Sequence, residues 1–128
     1  MSKLVGIDYG TKRVGVALSD ESGSIAFPYA TYANDRTLLP LLAQIICKEN
    51  VTIAIFGDSK NAEGKDNSIM QGAYALAEAL QELVAVSVHF EPEFYSTVEA
   101  LQHTGKFAVD AEAATIILNS YIEKHKKS

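Results

Sequence analysis

The sequence predicts an α/β fold: a mixed sheet with an antiparallel three-strand start, then βαβ crossovers, flanked by helices. Three observations predict it. The first third reads as short β-branched runs broken by glycine-containing turns. The remainder alternates stretches of helical periodicity with near-continuous apolar runs. The chain has 128 residues, 48% hydrophobic and 21% charged, so the expectation is one domain, 1–128, with one full core.

Each element follows in order. Residues 4–7 and 14–18 are apolar, β-rich runs, and Gly10 between them marks a hairpin. A second turn at Ser22, Gly23 and Ser24 leads to a third strand over residues 25–32. Leu38, Leu39, Leu41, Leu42, Ile45 and Ile46 then recur at helical spacing. Asp35 and Thr37 are both candidates for the N-cap, and Pro40 is acceptable because it falls in the first turns. Residues 51–56, closed by Gly57, suit a strand buried on both faces. A polar loop over 58–66 precedes a helix carrying Ile69, Ala73, Leu76, Leu80 and Leu83. Residues 84–90 read as another strand, 97–102 as a short helix, and 110–124 as a final helix.

Composition excludes several classes. Cys47 is the single cysteine, so there is no internal disulfide and no cysteine-based zinc site. Its neighbours Ile45 and Ile46 predict that it packs in the core rather than acting as a nucleophile. His89, His103 and His125 lack ligand spacing. The N-terminal segment reaches Asp8 too soon for a signal peptide, and no apolar run approaches the roughly 18 residues of a membrane span. A reducing cytoplasm is the expected location. The formal net charge is -5, from 11 Lys+Arg against 16 Asp+Glu. That balance counts against a module that coats nucleic acid by charge alone, but is compatible with a local basic rim around an acidic centre.

Three acidic positions stand at element ends. Asp8 closes the first strand, Glu91 and Glu93 flank Pro92 after the strand at 84–90, and Asp110 opens the last helix. Each has an ordinary reading: a turn carboxylate for Asp8, solvated glutamates at a strand exit, an N-cap for Asp110. Together they occupy the type of place where crossover folds gather functional groups. Clustered carboxylates would hold hard divalent cations such as Mg²⁺ for phosphoryl displacement. Spacing alone leaves open whether they meet.

The segment Gly6-Ile7-Asp8-Tyr9-Gly10-Thr11-Lys12-Arg13-Val14-Gly15 strongly resembles the opening of the YqgF family, Holliday-junction-resolvase-like proteins with an RNase H fold. Phe56-Gly57 followed by Asn61-Ala62-Glu63-Gly64, then Ser96-Thr97-Val98-Glu99-Ala100, and Val109-Asp110-Ala111-Glu112-Ala113-Ala114 continue the resemblance in order along nearly the whole chain. It implies an RNase H-like five-stranded sheet and a metal-dependent nuclease, a hydrolase of structured nucleic acid. The family is associated with maturation of the 5′ end of 16S rRNA, hence with ribosome biogenesis; its older label is Holliday junction resolvase. By this resemblance Asp8, Glu93 and Asp110 are the catalytic, Mg²⁺- or Mn²⁺-binding carboxylates. Counting back from Ser96-Thr97 puts Glu93, not Glu91, on the family glutamate. Gly10, Thr11, Lys12 and Arg13 would meet substrate phosphate.

The sequence departs from the family pattern in two places. Pro92 and Phe94 stand where the family has Asp and Arg around its glutamate, and Asp58-Ser59 where it has Leu-Pro. Phe94 supplies no planar fork for a phosphate. The substrate implied is pre-16S rRNA, with branched DNA the alternative and a non-catalytic RNA-binding role the third reading. A monomer suffices for one cut, whereas symmetrical resolution of a junction needs a homodimer. Asp8-Tyr9-Gly10-Thr11 also resembles the first phosphate loop of actin-like ATPases. Those bind nucleotide between two such domains, and this chain has room for one.

Overall fold

The structure is a computed structural model and describes residues 3–10, 12–58, 68–92 and 109–126. These form β1 (Lys3–Tyr9), β2 (Arg13–Ser19), β3 (Ala26–Ala33), α1 (Leu38–Glu49), β4 (Val51–Asp58), α2 (Ser68–Leu83), β5 (Ser87–Pro92) and α3 (Val109–Lys126). The helix expected at 97–102 and most of the expected polar loop lie outside the described residues; Asp58, the first residue of that loop, instead ends β4.

The strands lie in the order β3-β2-β1-β4-β5. β1 pairs antiparallel with β2, and β2 with β3, while β4 runs parallel to both β1 and β5. The antiparallel start and the two helical crossovers are those the sequence predicts.

Alternation along β1 divides the sheet into two faces. Val5 and Ile7 pack with Val14, Val16, Phe56, Leu42 and Leu80 beneath α1 and α2. Ala17 and Ile55 on the other face meet Ala114, Ile117, Leu118 and Ile122 of α3. β4 feeds both cores, with Ala54 and Phe56 on one side and Ile55 on the other. Its continuous apolar run is therefore explained.

Local chemistry sets the element ends. Thr37 is the N-cap of α1 without a side-chain cap bond. The Asp35 carboxylate accepts the Thr37 N–H at 2.9 Å, so the two candidates share the turn into the helix. Pro40 sits in the first turn, and Asn50 closes α1 with φ 61, its N–H donating to the Ile46 carbonyl. Lys3 Nζ lies 2.6 Å from Glu49 Oε1, joining the start of β1 to the end of α1. That hydrogen bond holds the Glu49 carboxyl below the ordinary carboxylate range.

Two expectations are corrected. Cys47 is exposed rather than packed in the core. The buried stripe of α1 is Leu38, Leu42, Ile45 and Ile46, and position 47 rotates past it to solvent. The strand expected from 84 begins at Ser87 and runs on to Pro92. The Val84 N–H still donates to the Leu80 carbonyl, so that valine continues the turn of α2. Pro92 is tolerated inside β5 because β5 is an edge strand.

Candidate functional site

The site is built around the C-terminal end of β1. Asp8 is half-buried, and by the strand's alternation it shares the face of Gly6 that α3 covers. A Cβ on Gly6 would stand 2.7 Å from the Ala114 carbonyl oxygen and 2.9 Å from Leu118 Cβ. Only glycine allows this approach, since the obstacle includes backbone. Asp110 precedes Ala114 by four residues, one helical turn, in the first turn of α3. Asp8 follows Gly6 by one strand repeat, about 7 Å. Both aspartates are thus within one structural repeat of a single tight contact. The neighbours of β1 there, Gly15 opposite Asp8 and Ala17 opposite Gly6, are small, which suits close packing of the helix.

The turn after β1 is held from β3. Gly10 is required because a Cβ there would meet the Arg13 carbonyl oxygen at 2.6 Å. Asn34 then clamps the turn twice: its side-chain amide donates to the Gly10 carbonyl at 2.7 Å, and its backbone N–H to the Lys12 carbonyl at 2.9 Å. Lys12 and Arg13 are exposed on this turn, and Thr11 lies outside the described residues. Tyr9 packs on the opposite face beneath α2, where a Cβ on Gly72 would be 2.5 Å from its hydroxyl oxygen.

The two glutamates part company. Glu91 is buried, at 5% exposure, one residue before the end of β5. Its Oε2 accepts a hydrogen bond from Ser120 at 3.0 Å and pairs with Lys124 Nζ at 2.6 Å. A carboxylate so engaged serves the packing of α3 on β5. Glu93 lies outside the described residues. Among the described residues no three His, Cys, Asp or Glu side chains gather as a metal cage. Of the sequence-predicted site, then, the structure places Asp8 and the Gly10–Lys12–Arg13 turn at one end of the sheet, with α3 packed on the same face at Gly6. Asn34 was missed by the sequence reading. It stands 24 residues from Gly10, and its only local signal is an amide side chain just past a strand end.

The architecture is RNase H-like, an α/β fold of the resolvase class. T. thermophilus RuvC in complex with a Holliday junction substrate superimposes with a TM-score of 0.64 over 97% of this chain and 96% of that one, at 11% identity. Residues 2–124 match the family described as RuvX, Holliday junction resolvase, and the chain belongs to that family. A protein of Nitratidesulfovibrio vulgaris is 35% identical over 94% of this chain and 92% of its own length. One of Lachnospira eligens is 32% identical over 98% and 99%. Both carry the name "Putative pre-16S rRNA nuclease".

Proposed function

We propose that the protein is a divalent-metal-dependent nuclease that processes the 5′ end of pre-16S rRNA in the cytoplasm, and that the whole chain is one nuclease domain. The observation that supports the reading is the Gly6 contact, which seats α3 at Ala114 and Leu118 against β1 two residues before Asp8, on an RNase H-like sheet. The names of full-length relatives supply the substrate.

Asp8, Glu93 and Asp110 are the proposed catalytic carboxylates and metal ligands. The donor set is entirely carboxylate oxygen, which fits Mg²⁺ or Mn²⁺ rather than a softer ion. Such an ion, when bound, lowers the pKa of water and offsets charge on the leaving 3′ oxygen. The chain's own work is positional. The Asn34-clamped turn presents Gly10 to the substrate backbone, Thr11 is assigned to phosphate contact by the family resemblance, and Lys12 and Arg13 oppose phosphate charge. Glu91, committed to Lys124 and Ser120, stays out of the ligand set and fixes the far side of α3.

The test is cleavage of a precursor 16S rRNA leader fragment with Mg²⁺ or Mn²⁺ by wild type, Asp8→Asn and Glu93→Gln. Loss of at least about a thousandfold in rate in both variants, with unchanged circular dichroism, is expected. Retained cleavage by Asp8→Asn refutes its role. The family's resolvase description favours a second reading, four-way DNA junctions, which are run in parallel. Faster cutting of the junction than of the leader overturns the RNA assignment. No metal-dependent cutting of either substrate overturns the enzyme reading.

A further inference from the structure

The end of the sheet remote from Asp8 carries a feature that nuclease chemistry does not use. Strand β3 is an edge strand, and it exposes large apolar side chains: Phe27 at 51% and Tyr29 at 40%, with Ile25 at 51% just before it. Single exposed apolar residues are ordinary, but three in five positions on one edge form a patch. Phe27, Pro28 and Tyr29 with Leu18 make the apolar side of a groove of about 420 Å³.

The edge is poorly suited to adding a strand. Pro28 removes a backbone donor, and the register shift between Val16 and Ala17 leaves Tyr29 as a bulged residue opposite no partner. Docking there must therefore use side chains. The other side of the groove is acidic: Asp20, Glu21 and Glu49, against Lys3, which is already tied to Glu49 at 2.6 Å. Counting Lys48 in the adjoining cleft, carboxylates still outnumber ammonium groups three to two. Hydrogen bonds from the Ser24 backbone N–H, then from Ser22 and Ile25, hold the Asp20 carboxyl below its ordinary range, so it stays ionised. With Glu49 tied to Lys3, the excess is one carboxylate, and Glu21 stands exposed beside Asp20, a balance that favours a cationic over an anionic partner. Lys3 and Asp8 lie at opposite ends of β1, about 17 Å apart along the strand. The groove and the candidate nuclease centre can be occupied together.

We propose that this groove docks a cationic peptide segment of a partner protein, an aromatic or aliphatic anchor seated on Phe27 and Tyr29 with flanking Lys or Arg side chains meeting Glu21 and the neighbouring Asp20. The proposal is independent of the nuclease reading. It gives the acidic chain a protein contact at the end of the sheet away from Asp8.

The experiment is fluorescence anisotropy of the full chain with a labelled probe peptide, a central Phe flanked by alternating Lys and Leu. Its counterpart with Glu in place of Lys serves as control. Wild type should bind the Lys peptide, and the Glu peptide at least about tenfold more weakly. Phe27→Ser and Glu21→Lys should each weaken the Lys peptide about tenfold, and Glu21→Lys should also flatten the salt dependence. Both positions are exposed, so both variants should retain the wild-type circular dichroism. Failure of wild type to bind, equal binding of the two peptides, or affinity unchanged in both variants overturns the proposal. So does concentration-dependent self-association of wild type that Phe27→Ser abolishes, which would assign the patch to a second copy of the chain.

Discussion

Asn34 shows how much of this molecule rests on single hydrogen bonds. Its amide reaches the Gly10 carbonyl at 2.7 Å while its backbone N–H takes the Lys12 carbonyl, so one residue fixes both sides of the turn after Asp8. Asn34→Asp keeps the size but replaces a donor by an acceptor facing a carbonyl oxygen, and the turn should open. A lost hydrogen bond with a partner left unsatisfied costs about 1–3 kcal/mol. The expected outcome is a modest loss in urea stability of that order and a rise in KM for the RNA leader larger than the fall in kcat. If stability falls while KM holds, Asn34 serves the fold alone. Gly6 illustrates the other kind of dependence. Its role is an absent Cβ, and the Ala114 carbonyl fills the space that any side chain would need.

At the scale of elements, the joint between β5 and α3 rests on a buried charge. Glu91 is 5% exposed, and Lys124 reaches it from the last turns of α3. Lys124→Met leaves the carboxylate its hydrogen bond from Ser120 but takes away the ammonium. Because the lysine is largely exposed, the pair is partly screened, and a loss of about 1–2 kcal/mol is expected. Adding Glu91→Gln to Lys124→Met should recover part of that loss in urea denaturation; a double variant weaker by the sum of the single changes would show no coupling. The elements themselves were largely legible. The short apolar, β-branched runs at residues 4–7 and 14–18, and the stripe of Leu38, Leu42, Ile45 and Ile46, are local signals, and local signals determine strand and helix. Boundaries were less so, because Val84 and Val86 are as apolar inside a helix-to-strand turn as they would be in a strand. Cys47 was misjudged by its neighbours in sequence, whereas burial follows position around the helix. The joints were not legible at all. Glu91 to Lys124, Asn34 to Gly10 and Gly6 to Ala114 join residues far apart in sequence, and no pattern along the chain encodes such a meeting.

At the scale of the whole molecule, charge among the described residues is divided between the two ends of the sheet. The chain is acidic overall, at -5, yet Lys12 and Arg13 stand exposed on the turn beside Asp8, while Asp20, Glu21 and Glu49 border the β3 groove at the other end. Phosphate binding releases counterions in proportion to the cations engaged, with a slope of about 0.7 per contact on single-stranded nucleic acid and 0.9 on duplex DNA. An acidic protein with a small basic turn should therefore bind RNA weakly and with a shallow salt dependence, not the steep one of a basic coat protein. Lys12→Ala should lower the slope of log K against log salt by about 0.7 to 0.9, because one contact is lost. Lys3→Ala removes the same formal charge from the remote end, where the ammonium is held by Glu49, and should leave the slope unchanged. Anisotropy titrations of the leader RNA with a catalytically silent Asp8→Asn background, at several salt concentrations, distinguish the two. Equal slope changes in both variants would mean that the RNA responds to net charge rather than to the turn, and the proposed nucleic-acid end of the sheet would then be wrong.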